Sequence, residues 1–259
     1  MSRFAHPERR PVVVTGASSG IGAATALAFA ALGHPVALGA RRVDKLDELA
    51  TQVRASGGEV SVHALDLADG ESVGTFAAKV ASDLGEIEAV VSNAGIVQPG
   101  TTYEVSTEQF AGEIEVNILG AHRLVHAFVP GMVERQRGDI VFVSSDVAVR
   151  PRPFMSSYST GKWGLEGMAH ALQMELEGTG VRASIVRPGP TQSEMGSDWA
   201  DEAAAFVITQ WVRFGLARHP RLLKTTALAD AITTIVTAPR GVHLNLIEVT
   251  PEASLEERK

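Results

Sequence analysis

Tyr158 and Lys162 lie four positions apart in "SYSTGKWG", so a helix there would set a phenol and an ammonium on one face. The chain has only two tyrosines, and this one sits among the small residues Ser156, Ser157, Ser159 and Gly161. A phenol with a pKa of about 10 is a poor base near neutrality, and a neighbouring ammonium favours its phenolate form. Such a pair suits proton exchange at an alcohol or carbonyl oxygen. Taken alone, it equally suits a surface tyrosine beside a solvated lysine.

A second group of residues suits phosphate binding. In "TGASSGIG", Thr15 to Gly22, Gly16 permits a tight turn, Gly20 admits a phosphate to the backbone, and Gly22 allows helix to pack on strand. Ser18, Ser19 and Ile21 complete the loop at a helix N-terminus, whose unpaired N–H groups attract a pyrophosphate. The spacing is G-x-x-x-G-x-G, not the commoner G-x-G-x-x-G. Some 20 residues on, where a carboxylate would hold a ribose 2′-hydroxyl, the chain instead reads Ala40-Arg41-Arg42, with Asp44 later at a helix start. Two guanidiniums suit a 2′-phosphate, so NADP is expected over NAD.

The elements that must position these groups are legible as alternating patterns. "PVVVTG", "HPVALGAR", "EVSVHALD", "EAVVSNAG", "GDIVFVSS", "VRASIVRPG" and "HLNLIEV" are short apolar runs separated by amphipathic stretches such as "VDKLDELATQVRAS". Near-continuous apolar strands alternating with helices predict an α/β fold, a doubly wound seven-stranded parallel sheet with helices on both faces. No linker or repeat divides the chain, so one domain over 1–259 is expected. Ligands bind such sheets outside the carboxyl ends of the strands, where the distinctive polar residues fall.

Composition excludes several classes. Hydrophobic residues make up 45% and charged residues 20%, enough for a sizeable core without low-complexity tracts. A net charge of −7 with no basic cluster argues against nucleic acid. The absence of cysteine excludes thiol catalysis and a disulfide framework. The polar start "MSRFAHPERRP" runs straight into "VVVTG", and nowhere do about 18 apolar residues occur in succession, so a soluble cytoplasmic protein without a membrane segment is expected. His122, His126 and His170 lack metal-ligand spacing, and no metal is expected.

With "TGASSGIG", "LD" at Asp66, "NAG" at Asn93 to Gly95, "VNILG", "IVFVSS", "YSTGK" and "RPGP" in order, the chain resembles the short-chain dehydrogenase/reductase family, in its compact branch with a Rossmann fold. The resemblance runs from about Pro11 to Ser193. It implies an oxidoreductase that interconverts a ketone or aldehyde and an alcohol by hydride transfer. It implies a catalytic tetrad of Asn117, Ser145, Tyr158 and Lys162, with Tyr158 as acid/base. Ser145 is preferred to Ser144 because it stands thirteen residues before the tyrosine, the family's usual offset. Asp66 and Leu67 would border the adenine, and Asn93, Ala94 and Gly95 the ribose. Pro188, Gly189, Thr191 and Ser193 would sit by the nicotinamide. A non-catalytic NADP-binding regulator on the same fold is the alternative, and the intact tetrad counts against it. An epimerase or dehydratase of the longer branch would need a larger C-terminal substrate domain.

Beyond Ser193 the chain departs from the family's common ending, since no glycine-rich turn follows the last strand. Residues 192–220 are expected to form a substrate lid. This stretch holds Trp199 and Trp211, and Phe206, Val207, Trp211 and Phe214 recur at helical spacing between Gly196 and Gly215 as hinges. A packing helix would show the same pattern. The lid reading implies a largely apolar small-molecule substrate. The apolar stretches "FAGEIEVNILGAHRLVHAFVPGMV" and "SSYSTGKWGLEGMAHALQMELEG" imply, with the resemblance, a homodimer or homotetramer.

Overall fold

The computed structural model describes residues 6, 9–196, 199, 201–216, 219 and 221–254, without the side chains of residues 201 and 203. Residues 197, 198, 200, 217, 218 and 220 of the expected lid lie outside the described residues, as do most of the polar N-terminus and residues 255–259. Seven strands form one parallel sheet: β1 (Val12–Thr15), β2 (Val36–Ala40), β3 (Val60–Ala64), β4 (Ala89–Ser92), β5 (Gly138–Val143), β6 (Val181–Pro188) and β7 (Leu246–Val249). Their order is β3-β2-β1-β4-β5-β6-β7. Each of the seven apolar runs supplies one strand.

Alternation within the strands divides the core. Val13, Ala37, Val90, Ile140 and Phe142 face one side, and Val12, Val14, Leu38, Val91 and Val141 the other. The first side is covered by α3 (Gly70–Leu84), α5 (Gly120–Glu134) and α6 (Ser156–Glu175), through Phe76, Leu124 and Leu165. The second is covered by α1 (Gly20–Ala31), α2 (Val43–Ala55) and α8 (Thr225–Thr237), through Phe29, Leu46 and Ile232. With both faces buried, β1, β2, β4 and β5 are buried along their whole length, while the edge strands β3 and β7 are only partly buried. Among the described residues no helix is long and apolar enough to cross a membrane.

Two further features position the site. Strand order reverses between β1 and β4, so their carboxyl ends open a crevice. The helical stretch after β4 is not one regular helix: α4 (Thr107–Ile114) passes through a π-helical turn, Glu115–Leu119, into α5. Such turns concentrate at functional sites, and this one carries Asn117. The remaining helix, α7 (Asp201–Arg213), follows β6.

Candidate active site

The phosphate cradle is built by the chain leaving β1. Gly16 and Gly20 adopt φ of +65° and +58°, a left-handed backbone that glycine accepts freely. Ser19 caps α1 in extended conformation without a side-chain cap bond, so the first N–H groups of α1 remain for a ligand. A Cβ on Gly16 would stand 2.8 Å from Ala94 Cα, and one on Gly22 would stand 2.7 Å from Asn93 Nδ2. Asn93 accordingly faces β1: its Nδ2 donates to Thr15 O at 2.9 Å, while its backbone N–H and that of Ala94 donate to Thr15 Oγ1. The side chain braces the cradle from behind.

A cleft of ≈ 420 Å³ runs from this cradle along the strand ends. Gly16, Ser18, Ser19, Gly20 and Ile21 line it, as do Arg41 and Arg42. Asp66, Leu67, Asn93, Ala94, Gly95 and Ser193 also belong to the lining. Arg42 Nη2 donates to Ser18 Oγ and Ser19 Oγ at 3.0 Å each and to Glu194 Oε2 at 2.9 Å. Arg41 makes no ion pair among the described residues. Gly22, Pro188, Gly189 and Thr191 are not in the cleft wall. Gly189 donates its N–H to Val249 O at 2.8 Å and Thr191 Oγ1 donates to Gly189 O, which ties the exit of β6 to β7.

Tyr158 and Lys162 sit in the first turns of α6, both buried, behind the part of the cleft wall that Gly95 and Val97 form rather than in the wall itself. Lys162 Nζ donates to Val143 O at 2.8 Å and stands 5.6 Å from the centre of the Tyr158 ring. The π-helical turn delivers Asn117 to the same place. Its Oδ1 accepts from Ile96 N at 2.9 Å and its Nδ2 donates to Ile96 O at 2.8 Å. Two glycines allow the approach: a Cβ on Gly161 would lie 3.3 Å from Asn117 Cβ, and one on Gly95 would lie 2.9 Å from Asn117 Oδ1 and 3.6 Å from Lys162 Nζ. Ser145 follows β5 and donates its hydroxyl to Asp146 Oδ1 at 3.3 Å. Ser144 points the other way and donates to Glu166 Oε1 at 2.7 Å.

Electrostatics here differ from the expectation that Lys162 sets the phenol. Burial pushes the Tyr158 phenol up to about 12, opposed by the Ser145 hydroxyl and by Arg152, and reinforced by the Asp146 and Glu113 carboxylates. Burial likewise pulls the Lys162 ammonium down to about 8, against the attraction of Glu166. Desolvation outweighs the pairing because the ammonium is turned to a backbone carbonyl. The phenol of the resting chain therefore keeps its proton.

Beyond Tyr158, Val97, Val147 and Met155 form a small apolar cluster on which Trp199 and Trp211 pack. Arg152, half-buried and paired with Asp146, stacks 4.8 Å from the Trp211 ring. The four-residue apolar face expected on α7 is divided. Val207 is buried and Trp211 half-buried, but Phe206 leans outward onto Phe154 at 5.0 Å, and Phe214 is exposed. Phe206 projects a full helical step away from Val207, and Phe214 lies past the end of α7 beside Gly215, where φ is +68°. Glu113, Arg152, Asp146 and Glu194 were missed at the level of sequence. For Glu113 a signal existed: a carboxylate four positions before Asn117, within an apolar helical stretch.

Comparison with known proteins bears on this geometry. The family model for short chain dehydrogenase matches residues 10–204. A short chain dehydrogenase from Pseudocercospora fijiensis is 33% identical over 91% of this chain and 78% of its own length. A 3-oxoacyl-[acyl-carrier-protein] reductase from Thermotoga maritima is 32% identical over 76% of this chain and 80% of its own. Among solved structures, an alcohol dehydrogenase from Thermococcus sibiricus complexed with 5-hydroxy-NADP superposes with a TM-score of 0.82 at 31% identity, covering 97% of this chain and 100% of that one.

Proposed function

Because the chain belongs to the short chain dehydrogenase family, an NAD(P)-dependent dehydrogenase or reductase, we propose that it reduces an apolar ketone or aldehyde with NADPH, using Tyr158 as proton donor. One observation carries this reading: Tyr158, Lys162 and Asn117 converge directly behind Gly95 and Ile96, which line the same cleft as a glycine cradle at a helix N-terminus.

The residues present fit a nicotinamide dinucleotide. The uncapped N–H groups of α1, with Gly16 and Gly20, would hold the pyrophosphate. Asp66 and Leu67 would border the adenine, and Arg41 and Arg42, two planar singly charged guanidiniums, would hold a 2′-phosphate. Asn93, Ala94, Gly95 and Ser193 would line the ribose and nicotinamide end. Pro188, Gly189 and Thr191 would support it from behind, and Gly22 would keep α1 against the loop. The hydride comes from the reduced nicotinamide when the cofactor is bound.

The chain's own residues supply the rest. Tyr158 Oη, protonated at rest, gives its proton to the substrate oxygen as charge develops there. The Ser145 hydroxyl stabilises that oxygen by a hydrogen bond. Lys162 favours the phenolate left behind, and Asn117 holds the loop at Ile96 that walls the path for reprotonation. Alcohol oxidation is the reverse. Val97, Val147 and Met155, closed over by Trp199 and Trp211, give the substrate an apolar seat, and α7 with its flanking segments serves as the lid.

Leu119, Trp163 and Met174, exposed around the π-helical turn and α6, support assembly as a homodimer or homotetramer. A monomeric mass by light scattering at micromolar concentration would refute that. A cytoplasmic location is proposed on the acidic, cysteine-free composition. The reaction itself is tested by following nicotinamide absorbance with the purified protein and ketones and alcohols of graded size. Turnover with NADPH, faster for bulky apolar ketones, is expected; no turnover across the panel would refute it.

A further inference from the structure

Glu113 is a carboxylate with only 1% of its surface exposed, on the last turn of α4. Its Oε1 accepts two hydrogen bonds, from Ser157 Oγ at 2.8 Å and from the backbone N–H of Gln98 at 3.1 Å. Its Oε2 is buried and has no partner among the described residues. A buried carboxyl costs several kcal/mol of desolvation unless it is well paired, so its place in a core needs a compensating role.

The two partners identify that role. Ser157 is the residue before Tyr158, in the first turn of α6, and Gln98 lies two residues beyond Ile96. Asn117, four positions after Glu113, grips Ile96 through both its N–H and its carbonyl. Glu113 and Asn117 thus make a two-rung polar ladder along the loop that follows β4, and the upper rung reaches across to α6. The same loop meets the approach to α6 again, where Gly100 donates its N–H to Phe154 O at 2.9 Å.

We propose that Glu113 is a positioning residue for Tyr158: its carboxyl clamps the first turn of α6 to the loop after β4 and so fixes where the phenol meets the reacting oxygen. This rests on Tyr158 being the acid/base. The clamp needs an acceptor oxygen at Oε1, which a glutamine supplies and an alanine does not. The charge has a second effect. The charged groups facing Tyr158 are Lys162 on its own helix, Asp146 and Arg152 from the β5–α6 connection, and Glu113 from α4; Trp199 and Trp211 from the lid side are neutral. A carboxylate at Glu113 opposes the phenolate, so removing it lets Tyr158 ionise at lower pH.

Three variants test this: Glu113→Ala, Glu113→Gln and Ser157→Ala. Glu113→Ala is expected to lower kcat by about tenfold or more, as small misplacements of a reacting group do, with KM and the dissociation constant for NADPH little changed. Glu113→Gln should recover most of that loss, and the rise of alcohol oxidation with pH should begin lower than in wild type. Ser157→Ala should resemble Glu113→Ala, and the double variant should be no worse than either alone. Amide hydrogen exchange reads the clamp without turnover: Glu113→Ala and Ser157→Ala should both speed exchange in residues 156–159, and Glu113→Ala also at Gln98. Unchanged exchange in both variants would overturn the clamp whether or not the substrate is known. In an active wild type, a kcat for Glu113→Ala within about twofold of wild type, or glutamine no better than alanine, would overturn the positioning role.

Discussion

Replacing Lys162 with methionine should make the cofactor-free protein more stable while destroying its activity. The ammonium is almost fully buried and makes one hydrogen bond, to Val143 O. Burial holds it at about 8 rather than 10.5, and at about 1.36 kcal/mol per pH unit that gap is a native-state penalty of about 3 kcal/mol. Methionine fills similar space without charge, and losing the bond to Val143 O costs about 1 kcal/mol. The net gain at pH 7 is about 2 kcal/mol, or about 5 °C in Tm for a chain of this size. The sign of its pH dependence follows from the depressed value. Between pH 8 and 10.5 the unfolded chain binds a proton that the native chain does not, so wild-type stability rises with pH there. The advantage of Lys162→Met is therefore complete below about pH 8 and vanishes toward pH 10.5. Urea or thermal unfolding of the two apo proteins at pH 7 and pH 9.5 measures this. A variant no more stable than wild type at pH 7, or an advantage that grows with pH, would refute the reasoning.

Three further outcomes follow from the cleft. Arg41→Asp should weaken NADP binding by more than about tenfold, through loss of a charge-assisted hydrogen bond and added repulsion, and should spare NAD; calorimetric titration of both cofactors checks it, and an unchanged ratio refutes it. Trp211→Ala should raise KM about tenfold for bulky apolar ketones and little for small ones, since a ring packed by Tyr158 is lost; equal effects on both would leave α7 a packing helix only. Gly22→Ala drives a methyl into the backbone carbonyl of Gly16 and places it 2.7 Å from Asn93 Nδ2, so α1 must shift from the cradle. It should destabilise by about 1–3 kcal/mol in thermal unfolding and weaken cofactor binding.

The central strands are legible because they are buried on both faces and so are apolar along most of their length, as Val12–Thr15 and Val36–Ala40 are. The edge strands Val60–Ala64 and Leu246–Val249 are only partly buried and show the weaker pattern. Tyr158 and Lys162 were legible as neighbours because helical spacing alone places them. Their electrostatics were not, since the dominant influence is burial, a property of packing rather than of spacing. The π-helical turn at Asn117 was hidden because "EVNIL" satisfies an ordinary helical pattern, and the extra residue per turn is forced by tertiary contacts with Ile96 and Gly161. Phe214 was misassigned to the face of Val207 because periodicity continues past a helix end that Gly215 imposes. The pairing of Arg42 with Glu194 joins residues from two distant loops and leaves no local trace in the sequence.

The proton donor is tested most directly by Tyr158→Phe, which keeps the ring's bulk and removes only its hydroxyl. With NADPH and a ketone that wild type reduces, the single-turnover rate of nicotinamide oxidation should fall by about 10³-fold, within the range that a general acid contributes. The dissociation constant for NADPH should stay within about twofold, because the cradle at Gly16 to Gly22 is untouched. A variant retaining more than a few per cent of the wild-type rate, with the cofactor bound, would contradict the assignment of Tyr158.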